Sequence, residues 1–131
     1  MGSMPDKQTQ QSTIEPIDGV EIAARAAADK KATDLVALDL REVASFTDYF
    51  VICSGANARQ VQAISNSVEE QLRNARKRPL HIEGYSTGEW ILLDYGDFIV
   101  HVFSNAARRF YDLERLWRDA GRVKLPEESR A

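Results

Sequence analysis

Residues 90–103 read WILLDYGDFIVHVF, two apolar runs separated by a Gly-Asp pair. Aromatic and β-branched residues fill both runs, which is typical of strands, and a glycine-containing pair between two such runs indicates a β-hairpin. Because side chains alternate along a strand, Trp90, Leu92 and Asp94 are expected on one face and the residues between them on the other. Both faces therefore carry large apolar groups, and at least one of them must pack against a core.

The apolar spacing outside this hairpin predicts helices and further strands. Apolar residues between Val61 and Leu72 recur at helical spacing, with Asn57 as the expected N-cap and Pro79 as a stop signal. The order of elements predicts a single α/β domain with a mixed sheet of about five strands flanked by helices. The predicted elements are helices over 18–31 and 57–77, strands over 34–40, 49–53, 80–83, 90–95 and 98–103, and a closing helix with apolar positions Ala106, Phe110, Leu113 and Trp117.

Composition excludes several classes of protein. The chain has 131 residues and a formal charge of −3, which argues against a protein that binds mainly to the phosphates of DNA or RNA. One basic cluster, at 73–78, allows a minor RNA contact at most. A single cysteine makes no internal disulfide, and no apolar run approaches the ~20 residues of a membrane span. A cytoplasmic protein with no membrane partner is therefore expected.

The two ends of the chain are predicted to lie outside the domain, which is placed at 17–120. Residues 1–16 are polar and start with MGSM, interpreted as a cloning scar ahead of the natural start. Residues 121–131 begin at a helix-stopping glycine, are equally polar and contain a proline. Both segments are expected to be disordered tails.

No residue pattern indicates catalysis, a metal or a cofactor. Cys53 ends an apolar strand, where a buried and inert thiol is expected. His81 and His101 lack the spacing of a zinc site, which needs three or four converging ligands. The turn at 54–57 is only weakly similar to a phosphate-binding loop, because GxGxxG and P-loop sequences are missing. No predicted strand carries the D-x-D or D-x-E pair that a metal-dependent nucleotidyltransferase needs.

Three segments together resemble one known family. They are TDYFVICSG at 47–55, WILLDYGDFIVHVF at 90–103 preceded by Glu83-Gly84, and RFYDLERLW at 109–117. These segments are similar to the ribosomal silencing factors, the Iojap-like family, over about residues 18–119. The resemblance implies a nucleotidyltransferase-like fold without catalytic acids. It also implies a non-enzymatic homodimer that binds ribosomal protein number fourteen of the large subunit, blocks association with the small subunit and represses translation.

Two other functions stay open beside this one. The first is a small nucleotidyltransferase-like or nucleotide-binding enzyme that uses the turn at 54–57 together with Asp94 and Asp97. The missing acid pair argues against it. The second is an assembly factor that holds immature large subunits, which would bind the same surface and which the sequence does not separate from a silencing factor.

A partner-binding surface is predicted where aromatic anchors and charged residues occur together. Trp90 and Leu92 would supply the apolar contact, although the pattern fits a core position for Trp90 equally well. Glu83 and Asp94 would meet cations of a basic partner, and glycine at 84 would let a backbone approach closely. The predicted partner-binding residues are His81, Glu83, Gly84, Trp90, Leu92, Asp94 and Tyr95.

Overall fold

Residues 14–125 are the part of the chain that the structure, a computed structural model, describes. They form four helices and six strands, which confirms the predicted α/β class and adds one strand to the expected number. In chain order the elements are α1 (Pro16–Asp29), β1 (Thr33–Asp39), β2 (Tyr49–Gly55), α2 (Ala58–Asn74), β3 (His81–Glu83), β4 (Trp90–Asp94), β5 (Phe98–Ser104), α3 (Asn105–Tyr111), α4 (Leu113–Leu116) and β6 (Gly121–Val123).

The strands make one mixed sheet in the order β3-β4-β5-β2-β1-β6. β2 and β5 run parallel at its centre, and each of the other neighbouring pairs is antiparallel. The predicted hairpin is β4–β5, with Trp90 opposite Phe103 and the Tyr95 N–H donating to the Phe98 carbonyl over 3.0 Å. This turn fixes the register of β4 against β5, which is one of the two central strands.

Helices α1 and α2 cover one face of the sheet. The apolar stripe predicted between 61 and 72 is buried there, and the Asn57 side chain accepts a backbone N–H of the first turn over 2.9 Å, as predicted for the N-cap. Helix α1 contributes four fully or nearly fully buried alanines. It lies so close to the sheet at Gly19 that any side chain there would run into the Phe98 ring. Small residues therefore set the distance between α1 and the sheet.

The opposite face of the sheet is covered only in part, by the short helices α3 and α4. The sequence predicts one closing helix here, and that prediction is wrong because Asp112 adopts a left-handed φ of 47° and separates the two. Phe110 is 79% exposed on α3, while Ala107 and Leu113 pack on the sheet. The part of this face formed by β4 stays half-exposed.

The C-terminal end of the folded unit lies further along the chain than predicted. Gly121–Val123 pair with β1 and Leu125 is fully buried, whereas the sequence predicts a disordered tail from 121. A strand of three residues shows no periodic pattern, so only its pairing reveals it. At the other end, Pro16 begins α1 instead of closing a tail. The predicted tail segments at 1–13 and 126–131 lie outside the described residues.

Candidate partner-binding surface

The two faces of β4 have different environments. Ile91 and Leu93 are fully buried under α1 and α2, whereas Trp90, Leu92 and Asp94 are half-exposed on the other face. The alternation predicted along this strand is therefore confirmed. The half-exposed face is the one that α3 and α4 leave partly open, so it is where apolar side chains of the sheet are available to a partner.

Trp90 is at once part of the core and part of the surface. Its ring centroid lies 4.9 Å from that of Phe103 and 4.8 Å from that of Tyr111. Its Nε1–H donates to Nδ1 of His101 over 3.1 Å. Three neighbours therefore hold the indole from the protein side while its remaining surface is accessible. Trp90 therefore packs as a core residue does on one side and is accessible on the other, and its role in partner binding stays a prediction.

Charged groups lie beside the apolar residues of β4. Glu83 faces Leu92 across β3 and β4 and is 68% exposed. The imidazole of His81 contacts Glu83 (Nε2 to Oε2, 3.1 Å) and Asp94 (Nδ1 to Oδ2, 3.8 Å). Asp94 also accepts the Gly96 N–H through Oδ1 over 2.8 Å, so one of its oxygens stabilises the hairpin turn. The polar rim is thus preorganised around His81.

Two of the predicted surface residues, Tyr95 and Gly84, have structural roles. Tyr95 is only 3% exposed, because it points to the helix-covered face and stacks on Phe98. Burial raises the pKa of its hydroxyl. Gly84 has a φ of 81°, and a side chain there would collide with the carbonyl of Trp90. The close backbone approach expected at Gly84 is therefore made within the chain itself.

The sequence does not single out Tyr111, which extends the surface from α3. It is 48% exposed and contacts Trp90. The adjacent aromatic pair at 110–111 is the signal that could have found it, since neighbouring helical residues cannot both face the sheet. We call the following group the Trp90 surface: His81, Glu83, Trp90, Leu92, Asp94 and Tyr111.

His101 lies at the centre of the sheet behind this surface. It is 3% exposed, and its ring makes an edge-to-face contact with Phe50 at a centroid distance of 4.4 Å. Burial lowers the pKa of His101 to about 3. The imidazole is therefore neutral in the folded protein, and because Nδ1 accepts from Trp90 its proton is on Nε2.

The buried imidazole predicts a pH-dependent stability. In the unfolded chain His101 takes up a proton near its ordinary pKa of 6.5, while the folded protein does not until about pH 3, so acidification below 6.5 favours unfolding. Between pH 7 and pH 5 the wild type should lose about 2 kcal/mol more stability than His101→Phe. Urea unfolding at both pH values measures this, and equal losses in the two proteins would contradict it.

Arg108 ties the α3–α4 segment to the sheet. Its guanidinium donates to both carboxylate oxygens of Glu114, each over 2.9 Å. It also donates to Ser54 Oγ over 2.8 Å and to the Asp34 carbonyl over 2.9 Å. These bonds lower the pKa of Glu114, although partial burial opposes the shift. The carboxylate that pairs with Arg108 is therefore that of Glu114.

The turn at 54–57 is occupied by the chain's own groups. Asn57 caps α2, and the Gln60 side chain accepts the Ala56 N–H over 2.7 Å. Ser54 Oγ is bonded to Arg108. These contacts favour an ordinary capped turn over a phosphate-binding loop. Cys53 is fully buried, and burial raises the pKa of its thiol to about 12, which agrees with the expected inert cysteine.

Residues 14–125 contain neither a cluster of metal-ligating side chains nor a helix that could cross a membrane. In this part of the chain, no three or more His, Cys, Asp and Glu side chains are grouped so that they could hold a metal ion. None of its helices combines the length and apolar character needed to cross a bilayer.

Comparison with known proteins decides the family. The protein-family model described as "Ribosomal silencing factor during starvation" matches residues 13–131. The chain belongs to this family of ribosomal silencing factors. RsfS of Bacillus subtilis, named a ribosomal silencing factor, is 42% identical over 101 residues, which is 77% of this chain and 86% of that protein. A crystal structure of a Chromobacterium violaceum protein matches with a TM-score of 0.79 at 35% identity, covering 85% of this chain and 91% of that one.

A more distant relative has a different name. The mouse protein "Mitochondrial assembly of ribosomal large subunit protein 1" is 29% identical over 91 residues, which is 67% of this chain and 40% of the mouse protein. The resemblance to the silencing factors inferred from the sequence is confirmed, and the name of this family describes an effect on the ribosome rather than a chemical reaction.

The three segments that carry the family resemblance lie in the sheet and in the short helices that cover one of its faces. Residues 49–55 form β2, residues 90–103 contain the β4–β5 hairpin, and residues 109–117 cross the half-covered face of the sheet. The ring of Trp117 lies 5.9 Å from that of Phe50 on this face. Two of these segments, 90–103 and 109–117, contribute residues to the Trp90 surface.

Proposed function

We propose that this chain binds the large ribosomal subunit through ribosomal protein number fourteen, blocks association with the small subunit and thereby represses translation, with the Trp90 surface as its contact. The observation that carries the proposal is the half-exposed pair Trp90 and Leu92 on the uncovered part of the sheet. Membership of the silencing-factor family supplies the ribosome as the partner. The proposed function needs no catalytic residue and no cofactor.

The composition of the Trp90 surface supports a protein partner. Aromatic side chains held in place on one side lose little entropy on binding, and such residues concentrate the binding energy of interfaces. Trp90 packs against Phe103 and Tyr111, so the ring is already held near one position before the partner arrives. A small, well-packed contact of this kind is sufficient for a competitor that excludes a large particle sterically.

The charges at the rim support a basic partner. Glu83 is well exposed, and the region 17–120 carries a formal charge of −3. An acidic surface accelerates encounter with a basic ribosomal protein through complementary electrostatics. Ribosomal RNA contributes a minor contact at most, through the basic cluster at 73–78. The same charge balance disfavours a binding mode based mainly on RNA phosphates.

Replacing Glu83 with lysine is expected to slow association with the large subunit and to reduce its salt dependence. The side chain is at the rim, where charge affects the encounter rate more than the lifetime of the complex. Stopped-flow or surface-based kinetics at several salt concentrations measures both effects. Glu70→Lys is the matched control, because Glu70 is an exposed glutamate on α2 with the same change of charge. Equal slowing in both variants would remove Glu83 from the contact.

We also propose that the free protein is a homodimer, as the family resemblance implies. Exposed apolar side chains of α3 and α4, Phe110 and Leu116, supply surface for a self-complementary contact. Multi-angle light scattering is expected to give about twice the monomer mass of 14.7 kDa. A mass of one chain at every accessible concentration would contradict the proposal.

Sucrose-gradient co-sedimentation with purified large subunits, with and without small subunits, tests the proposed function. We expect the protein to travel with large subunits and to be absent from joined ribosomes. A second function, assembly of the large subunit, is favoured by the name of the mouse relative. An assembly factor would bind immature large subunits but leave the joining of mature subunits unchanged, so the same gradients distinguish the two.

A further inference from the structure

His101 is an unusual residue for the centre of this sheet. It lies on β5 between Leu92 of β4 and Ile52 of β2, among apolar neighbours, and is 3% exposed. Its Nε2 is buried and has no hydrogen-bond partner among the described residues. Burying a polar atom without a hydrogen-bond partner costs free energy. An apolar side chain of similar size would therefore pack at this position without that cost.

Within residues 14–125, the His101 side chain makes one hydrogen bond, to Trp90. Nδ1 accepts the indole Nε1–H over 3.1 Å, and indole nitrogen is a donor only, so it can be satisfied by an acceptor alone. The other contacts of the Trp90 ring, to Phe103 and Tyr111, are tilted ring contacts without a donor and acceptor. Such contacts hold the ring near its position but do not distinguish one edge from the other.

We propose that His101 is a positioning residue whose Nδ1 fixes the orientation in which Trp90 is presented to the ribosomal partner. This rests on the proposed function of the Trp90 surface. An indole that could turn about its χ2 angle would present different edges, and ordering it on binding would reduce affinity. The unpartnered Nε2 is then the consequence of placing an acceptor, rather than an apolar group, behind the tryptophan.

Two substitutions separate positioning from packing. His101→Phe keeps a ring but removes the acceptor, whereas His101→Asn places Oδ1 close to the position of Nδ1 and keeps an acceptor. In the free protein, the Nε1–H resonance of Trp90 is assigned with a Trp117→Phe variant, since the chain has two tryptophans. We expect this proton to exchange roughly tenfold faster in His101→Phe, as for the loss of one hydrogen bond, and to be protected again in His101→Asn.

Binding to purified large subunits is then measured on the same proteins. We expect folded His101→Phe to bind roughly tenfold more weakly than the wild type, and His101→Asn to recover part of the affinity. Unchanged exchange or wild-type affinity in a folded His101→Phe protein would overturn the positioning role. If that variant fails to fold, the smaller His101→Leu, which also lacks an acceptor, carries the same expectations. Wild-type affinity in Trp90→Ala would instead exclude the Trp90 surface from the contact, and a wild-type protein that does not bind large subunits would overturn the proposed function itself.

Discussion

Replacing Trp90 with alanine is expected to weaken binding to the large subunit by at least about 2 kcal/mol, roughly a thirtyfold rise in the dissociation constant. The indole is the largest apolar group of the Trp90 surface and is already held by neighbouring rings, so its loss removes contact area without a compensating gain in freedom. Equilibrium binding to purified large subunits, measured well below the melting temperature of the variant, checks the expectation.

The same substitution is expected to lower stability, because Trp90 also packs on Phe103. Trp117→Ala is the matched control for this effect. Trp117 is the other half-buried tryptophan of the same face, and it contacts Phe46 and Phe50 rather than the Trp90 surface. We expect both variants to have a lower melting temperature than the wild type, and only Trp90→Ala to bind the large subunit more weakly. A folded Trp90→Ala protein with wild-type affinity would exclude β4 from the contact.

Replacing Arg108 with methionine is expected to lower the free energy of unfolding by about 3 kcal/mol, at the lower end of the range for breaking a buried ion pair. The Arg108 side chain is 10% exposed and holds Glu114, Ser54 and the Asp34 carbonyl at once. Because Glu114 is about one-third exposed, water solvates its carboxylate when Arg108 is replaced, and this reduces the loss of stability. Chemical denaturation of the two proteins measures the difference.

The pH dependence of this effect has a definite sign. The bonds from Arg108 lower the pKa of Glu114, so their contribution is present above its ordinary pKa and is lost as the pH falls through the lowered one. The stability difference between wild type and Arg108→Met should therefore shrink in acid. Arg109→Met, at the exposed neighbouring position, is the control and should change stability by less than about 0.5 kcal/mol. A comparable loss in both variants would show that Arg108 does not anchor α3 and α4.

Elements with a strong periodic pattern could be predicted from the sequence. The α2 stripe, the β4–β5 hairpin and the alternation along β4 all follow from apolar spacing that one buried face imposes. Six of the seven predicted surface residues are at least partly exposed, and Tyr95 is the exception; their role in binding stays a prediction.

Features that depend on contacts distant in sequence could not be predicted. Asp112 breaks the closing helix in a left-handed conformation, which its residue type permits but does not require. Gly84 is needed because the Trp90 backbone passes directly above it, and Tyr95 is buried because the hairpin turn ends beneath the helices. The sixth strand exists only through its pairing with β1. Each of these is a property of the assembled sheet rather than of a local segment.

The most direct test measures the joining of ribosomal subunits by light scattering. Large subunits are incubated with the protein before small subunits are added, and the same experiment is repeated with Trp90→Ala at equal concentration. We expect the wild type to suppress joining and Trp90→Ala to suppress it far less, in proportion to its weaker binding. Normal joining of large subunits that are saturated with the wild-type protein would contradict the proposed function.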